Sequence, residues 1–146
     1  MTALASRFTQ SISPAGNYRQ TKARKVGANV DLWEGTLVML DAGVAKNYTA
    51  AGYAAGATLA GFPECTISNA TGSVVTQADP NTFFRGCEMV ISGKAGDLPT
   101  EANVGGPVYL KDHFAVGKTN SGTDQAVTLL ESTETRNDGY YLILLP

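Results

Sequence analysis

Histidine, tryptophan and cysteine are nearly missing from this chain: one, one and two in 146 residues. These scarcities remove several classes of chemistry. Cys65 and Cys87 form no Cys-x-x-Cys pair and have no histidine at ligand spacing, so nothing indicates a zinc site. Both are expected to be reduced and packed as small apolar groups in strands, since a disulfide would require an oxidising compartment. No His-Glu-x-x-His or phosphate-cradling Gly-x-x-x-x-Gly-Lys run occurs. His113 stands alone in the turn-like Lys111-Asp112-His113-Phe114, and no serine or cysteine sits in a recognisable nucleophile elbow. The acids Asp41, Asp79, Asp97, Asp112, Asp124 and Asp138 are scattered singly across turns rather than paired as in a glycosidase. No enzyme activity, cofactor or metal is therefore expected. No apolar run approaches the roughly 20 residues that cross a bilayer. The opening MTALASRFTQ lacks the apolar core of a secretory signal. A cytoplasm, or a particle assembled in one, is the expected setting.

One further absence is positional. No acidic residue precedes Asp31, whereas five of the eleven basic residues do: Arg7, Arg19, Lys22, Arg24 and Lys25. From Asp31 onward, six basic residues face thirteen acidic ones, a net charge of −7. The basic part is also polar, with one isoleucine and one tyrosine in TQSISPAGNYRQTKARK. Such a stretch buries too little apolar surface to offset the entropy of ordering itself. It predicts an extended arm over residues 1–30 that becomes ordered against something else, and a compact body over residues 31–146. A basic run of this kind binds phosphate backbones in some proteins. Here only Tyr18 offers base stacking and a −7 body repels a polyanion, so no direct nucleic-acid partner is expected. An acidic protein surface, or another copy of the chain, suits the arm better. Trp33 at the arm–body junction is a candidate anchor.

What is present points to strands. Sixteen glycines, six prolines and recurrent Thr, Val and Ala argue against a helical bundle, and the length suits a single core. Leu37–Leu40 reads as a buried strand ending in a tight turn at Asp41-Ala42-Gly43. In the Ala/Gly-rich stretch that follows, Gly52, Gly56 and Gly61 break any helix, leaving a loop and a strand over Thr58–Phe62. Cys65 and Ile67 alternate with Thr66 and Ser68, residues 70–82 are mostly turn formers, and Cys87, Met89 and Ile91 share one face of the next strand. Val108–Lys111, Phe114–Gly117, Ala126–Glu131 and Tyr140–Leu145 complete the set, the last two as a hairpin signalled by Asp138-Gly139. The expected fold is all-β: a small antiparallel β-barrel or β-sandwich with an extended basic N-terminal arm. The expected core is Val38, Leu40, Ile67, Cys87, Met89, Ile91, Val108, Leu110, Val127, Leu129, Leu142 and Leu144.

The C-terminal half also carries a resemblance. Gly93-Lys94-Ala95-Gly96-Asp97, then Val104-Gly105-Gly106-Pro107-Val108-Tyr109-Leu110-Lys111-Asp112, then Ala115-Val116-Gly117-Lys118-Thr119, then Asp138–Leu144 resemble the strand-and-turn pattern of head decoration, or capsid cement, proteins of tailed bacteriophages. The likeness covers about 45–50 residues; the middle, residues 42–85, is longer and richer in Ala and Gly than in the smallest members. The resemblance implies a structural virion protein without an active site, assembled in the bacterial cytoplasm and bound to the capsid exterior. Its partner would be the major capsid protein, and the chain itself a homo-oligomer, a trimer before a dimer. Two other classes compete: a tail-tube or baseplate component, and a carbohydrate- or surface-binding β-module. The last would display exposed aromatics, for which Tyr48, Tyr53, Phe83 and Phe84 are the candidates.

Overall fold

The computed structural model describes residues 18–146, and twelve strands form its framework. The strands are β1 (Arg19–Val26), β2 (Val30–Leu32), β3 (Val38–Asp41), β4 (Val44–Asn47), β5 (Thr58–Pro63), β6 (Ile67–Asn69), β7 (Val75–Arg85), β8 (Glu88–Gly93), β9 (Pro107–Leu110), β10 (Ala115–Gly117), β11 (Ala126–Glu131) and β12 (Tyr141–Leu144). Two short helices, α1 (Ala50–Ala54) and α2 (Thr133–Arg136), and a 3-10 turn at Glu101–Asn103 interrupt them.

The body is two closed five-stranded barrels, where the sequence suggested one barrel or sandwich. In cyclic order the first runs β1-β4-β3-β5-β7 and the second β8-β10-β9-β11-β12. Pairing is antiparallel except for one parallel junction per barrel, β1–β4 and β8–β10, which falls at the same place in both rings. The chain has thus built one topology twice. The β3–β4 and β9–β10 hairpins echo each other in sequence, with Val38-Met39-Leu40 answering Val108-Tyr109-Leu110. A two-stranded ribbon, β2–β6, brings Leu32 and Ile67 to the core of the first barrel.

The later part of the predicted arm is corrected by β1, while residues 1–17 of it lie outside the described residues. Arg19–Val26 is a strand of the first barrel, paired to β7 along its length and to β4 at Lys25 and Val26. A polar stretch orders here because it has to bury only two side chains, Ala23 and Val26, while β7 supplies the ladder. β7 likewise starts at Val75 inside a run of turn formers. Its pairing lapses between Thr76 and Asn81, which is where Pro80, with no backbone donor, is accommodated.

The interiors follow the period-two pattern. Ala23, Val26, Val38, Ala45, Ala60 and Phe83 fill the first barrel, and Met89, Ile91, Val108, Leu110, Val127, Leu129 and Ile143 the second. The outward residues Leu37, Met39, Phe62 and Phe84 of the first barrel join the second barrel's core, so the two barrels share one apolar seam. Tyr48 lies in that seam with none of its surface exposed, its hydroxyl donating to the Leu110 carbonyl and accepting from the Gln125 amide, both at 3.4 Å. The Leu37 amide donates to the His113 carbonyl at 2.7 Å, and Thr49 bridges to Asp112. Only Gly86 and Cys87 separate β7 from β8.

Three expectations change with these contacts. Leu142 and Leu144 face outward, and Tyr141, Ile143 and Leu145 take the buried places assigned to them. Leu40 is only partly buried, and Cys65 is exposed in a bend before β6, while Cys87 is buried; both cysteines are free. β11 and β12 do pair, but their connection is α2, capped by the Ser132 hydroxyl at its start and by left-handed Asn137 at its end, rather than a two-residue turn at Asp138-Gly139.

Candidate interaction surface

β1 carries four of the candidate binding residues, three of them, Lys22, Arg24 and Lys25, on one outward strip and Arg19 apart at the strand's start beside Gly86. Arg19, Lys22, Arg24 and Lys25 all face solvent. Strict alternation would send one of the last two inward. A β-bulge between Ala23 and Lys25 breaks the alternation, so consecutive cations both point out. The strip is held in place by its flanks: the Arg24 guanidinium donates to the Ala78 carbonyl at 2.8 Å, and Arg85 donates to the Thr21 hydroxyl at 3.2 Å. Arg7 lies outside the described residues. Trp33 is not part of the strip; it is partly buried in the turn from β2 to β3, where its carbonyl accepts from the Thr36 amide and hydroxyl.

Charge is divided between the barrels. Residues 18–85 hold six basic and five acidic residues, and residues 86–146 hold four basic and eight acidic, a net −4. Several acids of the second barrel are tied into its loops. Asp97 accepts from the amide and hydroxyl of Thr119, which hold its carboxyl below the usual carboxylate range. Asp138 is likewise held down by Arg136, which also contacts Glu131. Glu101 accepts from the hydroxyls of Ser132 and Thr135.

The strongest of these ties joins Lys111 to Asp124 at 2.6 Å, with both side chains mostly buried. Lys111 also donates to the Thr119 carbonyl and to Ser121. Burial pushes the Asp124 carboxyl up, but Lys111 and the Ser121 amide outweigh it and leave the group below its ordinary value. His113 is shifted down by burial, which the neighbouring Asp112 opposes. All four shifts carry the same sign. A depressed folded pKa gives stability that is complete above the unfolded value, about 3.9 for Asp and 6.5 for His, and is lost as pH falls through the folded value. Stability should therefore begin to fall below about pH 6.5 and drop steeply below pH 4. Asp124→Asn removes one carboxylate from that dependence and leaves Lys111 unneutralised, costing about 2 kcal/mol at pH 7 by urea titration.

Elsewhere the chemistry is sparse. A cleft of about 530 Å³ between the barrels is lined by Tyr53, Leu59, Arg85, Gln125 and Pro146 among others, with Arg85 the one charged side chain among the described residues that line it. Among the described residues, no three His, Cys, Asp or Glu side chains gather as metal ligands, and no helix is long and apolar enough to cross a membrane. The aromatic platform imagined for a glycan is absent from the surface: Tyr48, Phe83 and Phe84 are buried, and Tyr53 packs against Tyr48 with ring centroids 5.9 Å apart. Sequence reasoning missed the outward face of β12, where Leu144 is 40% exposed. Tyr140–Leu145 contains no polar residue to set the phase of the strand. No protein-family model, curated protein or solved structure matches this chain.

Proposed function

We propose that this chain is a structural virion protein: a decoration protein that binds the exterior of an expanded bacteriophage head and braces it. The observation that carries the reading is the strip of three exposed cations on β1, Lys22, Arg24 and Lys25, set on one barrel while the other is net acidic. A cationic strip held on a paired strand loses little entropy when it meets an acidic protein surface, and its charges set approach and register more than raw affinity. The segments that carry the phage resemblance all fall in the second barrel, on the turn before Leu98 and on β9, β10 and β12. The major capsid protein is the expected partner, and a homo-oligomer the expected state. Many weakly attached copies on a lattice gain from high effective concentration, and binding only the expanded state stabilises that state by mass action.

The test is co-sedimentation of the purified chain with expanded, DNA-free heads, counting bound copies across a titration. Saturation at hundreds of copies per head is expected. Reversing Lys22, Arg24 and Lys25 to Glu is expected to weaken binding by roughly tenfold or more and to flatten its salt dependence, since rim pairs contribute about 0.2–1 kcal/mol each. No binding, or a handful of copies per head, overturns the reading in favour of a tail component.

A further inference from the structure

Arg19 and Arg85 stand directly opposite each other where β1 pairs with β7, so their side chains leave the same face, with Cβ atoms roughly 5 Å apart. Two like charges in that relation work against the pairing. A nearby acid would relieve them, yet among the described residues neither guanidinium meets a carboxylate. Arg85 is steadied instead by a neutral group: its Nε donates to the Thr21 hydroxyl at 3.2 Å, which leaves the two terminal nitrogens to donate elsewhere. The two arginines border adjoining hollows. Arg85 lines the cleft of about 530 Å³ between the barrels, Arg19 lines a groove of about 350 Å³ beside Gly86, and Pro146 borders both.

The rest of the cleft is neutral and partly apolar. Tyr53 of α1 and Leu59 of β5 supply apolar lining. Tyr53 rests on the fully buried Tyr48, ring centroids 5.9 Å apart, so that lining has a fixed backing. The turn before β11 adds Thr123 and Gln125, but Asp124 between them is missing from the lining. Its carboxylate is taken by Lys111, and its side chain is only 5% exposed. The turn thus offers the cleft its neutral hydrogen-bonding residues and withholds its acid. An unpaired cation beside apolar lining and a few neutral polar groups is the complement of an anion with an apolar body. Several hundred Å³ at the junction of two modules is also the size and place of a small-molecule site.

We infer that this cleft binds a small organic carboxylate with an apolar body, the carboxylate held by Arg85 and Arg19 and the body lying against Tyr53 and Leu59. The site is separate from the strip of Lys22, Arg24 and Lys25, and its test uses no heads, so it stands or falls apart from the decoration reading. The probe is 3-phenylpropionate, with 3-phenylpropanamide as its neutral isostere, each titrated into the isotope-labelled full chain and followed by backbone amide NMR shifts. The acid is expected to shift the amides of Leu59, Arg85, Thr123 and Gln125 and to half-saturate at a few millimolar, as suits a fragment of about eleven non-hydrogen atoms. The neutral amide is expected to bind at least about fivefold more weakly. Arg85→Gln should bring the acid down to the affinity of the amide and Arg85→Lys should keep part of the difference, with circular dichroism showing the β-fold retained. Equal binding of acid and amide by the parent overturns the inference. Inorganic phosphate shifting the same amides as strongly also overturns it, because the arginines then take any anion without the cleft. So does an acetyl-Phe-Glu-amide peptide that binds more tightly than 3-phenylpropionate, since the site then serves an acidic segment of a partner. Should Arg85→Gln fail to fold, Arg19→Gln decides: it is expected to lower affinity for the acid about threefold and to leave that for the amide alone, and an unchanged affinity for the acid overturns the inference.

Discussion

A Gly61→Ala variant is expected to lose about 3–5 kcal/mol of stability, a large part of what a domain of this size has to lose. Gly61 lies on β5 beside the bulge where its pairing with β3 shifts register, with φ at +115°. An added Cβ would stand 1.9 Å from the Phe84 carbonyl oxygen and 2.5 Å from its carbon. Both are backbone atoms, so no side-chain rotation relieves the clash, and the φ is strained for any residue with a Cβ. Relief requires β5 to part from β7 at the Phe62–Phe84 pair, between two rings that both belong to the seam. Urea unfolding followed by circular dichroism measures the loss. A variant within about 0.5 kcal/mol of the parent, the range of an ordinary surface change, would show that the bulge is not needed for closure.

Tyr48→Ala is expected to cost a similar 3–5 kcal/mol, because it empties a fully buried aromatic site between the barrels. Tyr48→Phe separates packing from hydrogen bonding. Both bonds of the hydroxyl are long, 3.4 Å, so their loss should cost no more than about 1 kcal/mol. If the phenylalanine variant proves as unstable as the alanine one, polar contacts rather than packing hold the seam. Burial also raises the Tyr48 hydroxyl to about 12. A raised folded value gives stability that is complete below the unfolded pKa of about 10 and is lost as pH rises through 12, so the parent should weaken in that alkaline window and the phenylalanine variant less.

Much of the strand pattern is legible in the sequence where chemistry changes sharply along the chain. The β3–β4 hairpin can be read because Asp41-Ala42-Gly43 ends an apolar run, and Ala42 and Gly43 do adopt the positive φ values, 50° and 83°, that a tight hairpin turn demands. Cys87, Met89 and Ile91 announce their face by alternation with Glu88 and Ser92. The reading slips where local signals are weak or the deciding contact is remote. β12 offers no polar residue, so its phase was set one residue off. β1 looks too polar to order, because its partner β7 lies 49 to 66 residues away and itself looks like loop. Closure into two rings depends on the parallel junctions β1–β4 and β8–β10, which no neighbouring residues encode. For the candidate surface, the cations were legible as charge, but the bulge that turns both Arg24 and Lys25 outward was not. Trp33 suggested a junction only because the arm was drawn too long.

The duplicated barrel has a mechanical consequence. Two modules joined by an ordinary linker would swing about it, and a pull on one would be spent in that motion before reaching the other. Here the link is Gly86 and Cys87 alone, the Gly86 amide is tied to the Pro146 carbonyl at 3.2 Å, and the seam is filled by Leu37, Tyr48, Phe62 and Phe84. Tension between the barrels must shear a packed interior, which resists deformation as an organic solid does. A lattice partner gripping either barrel would be coupled to whatever grips the other as if by a short strut, with almost no slack to take up first.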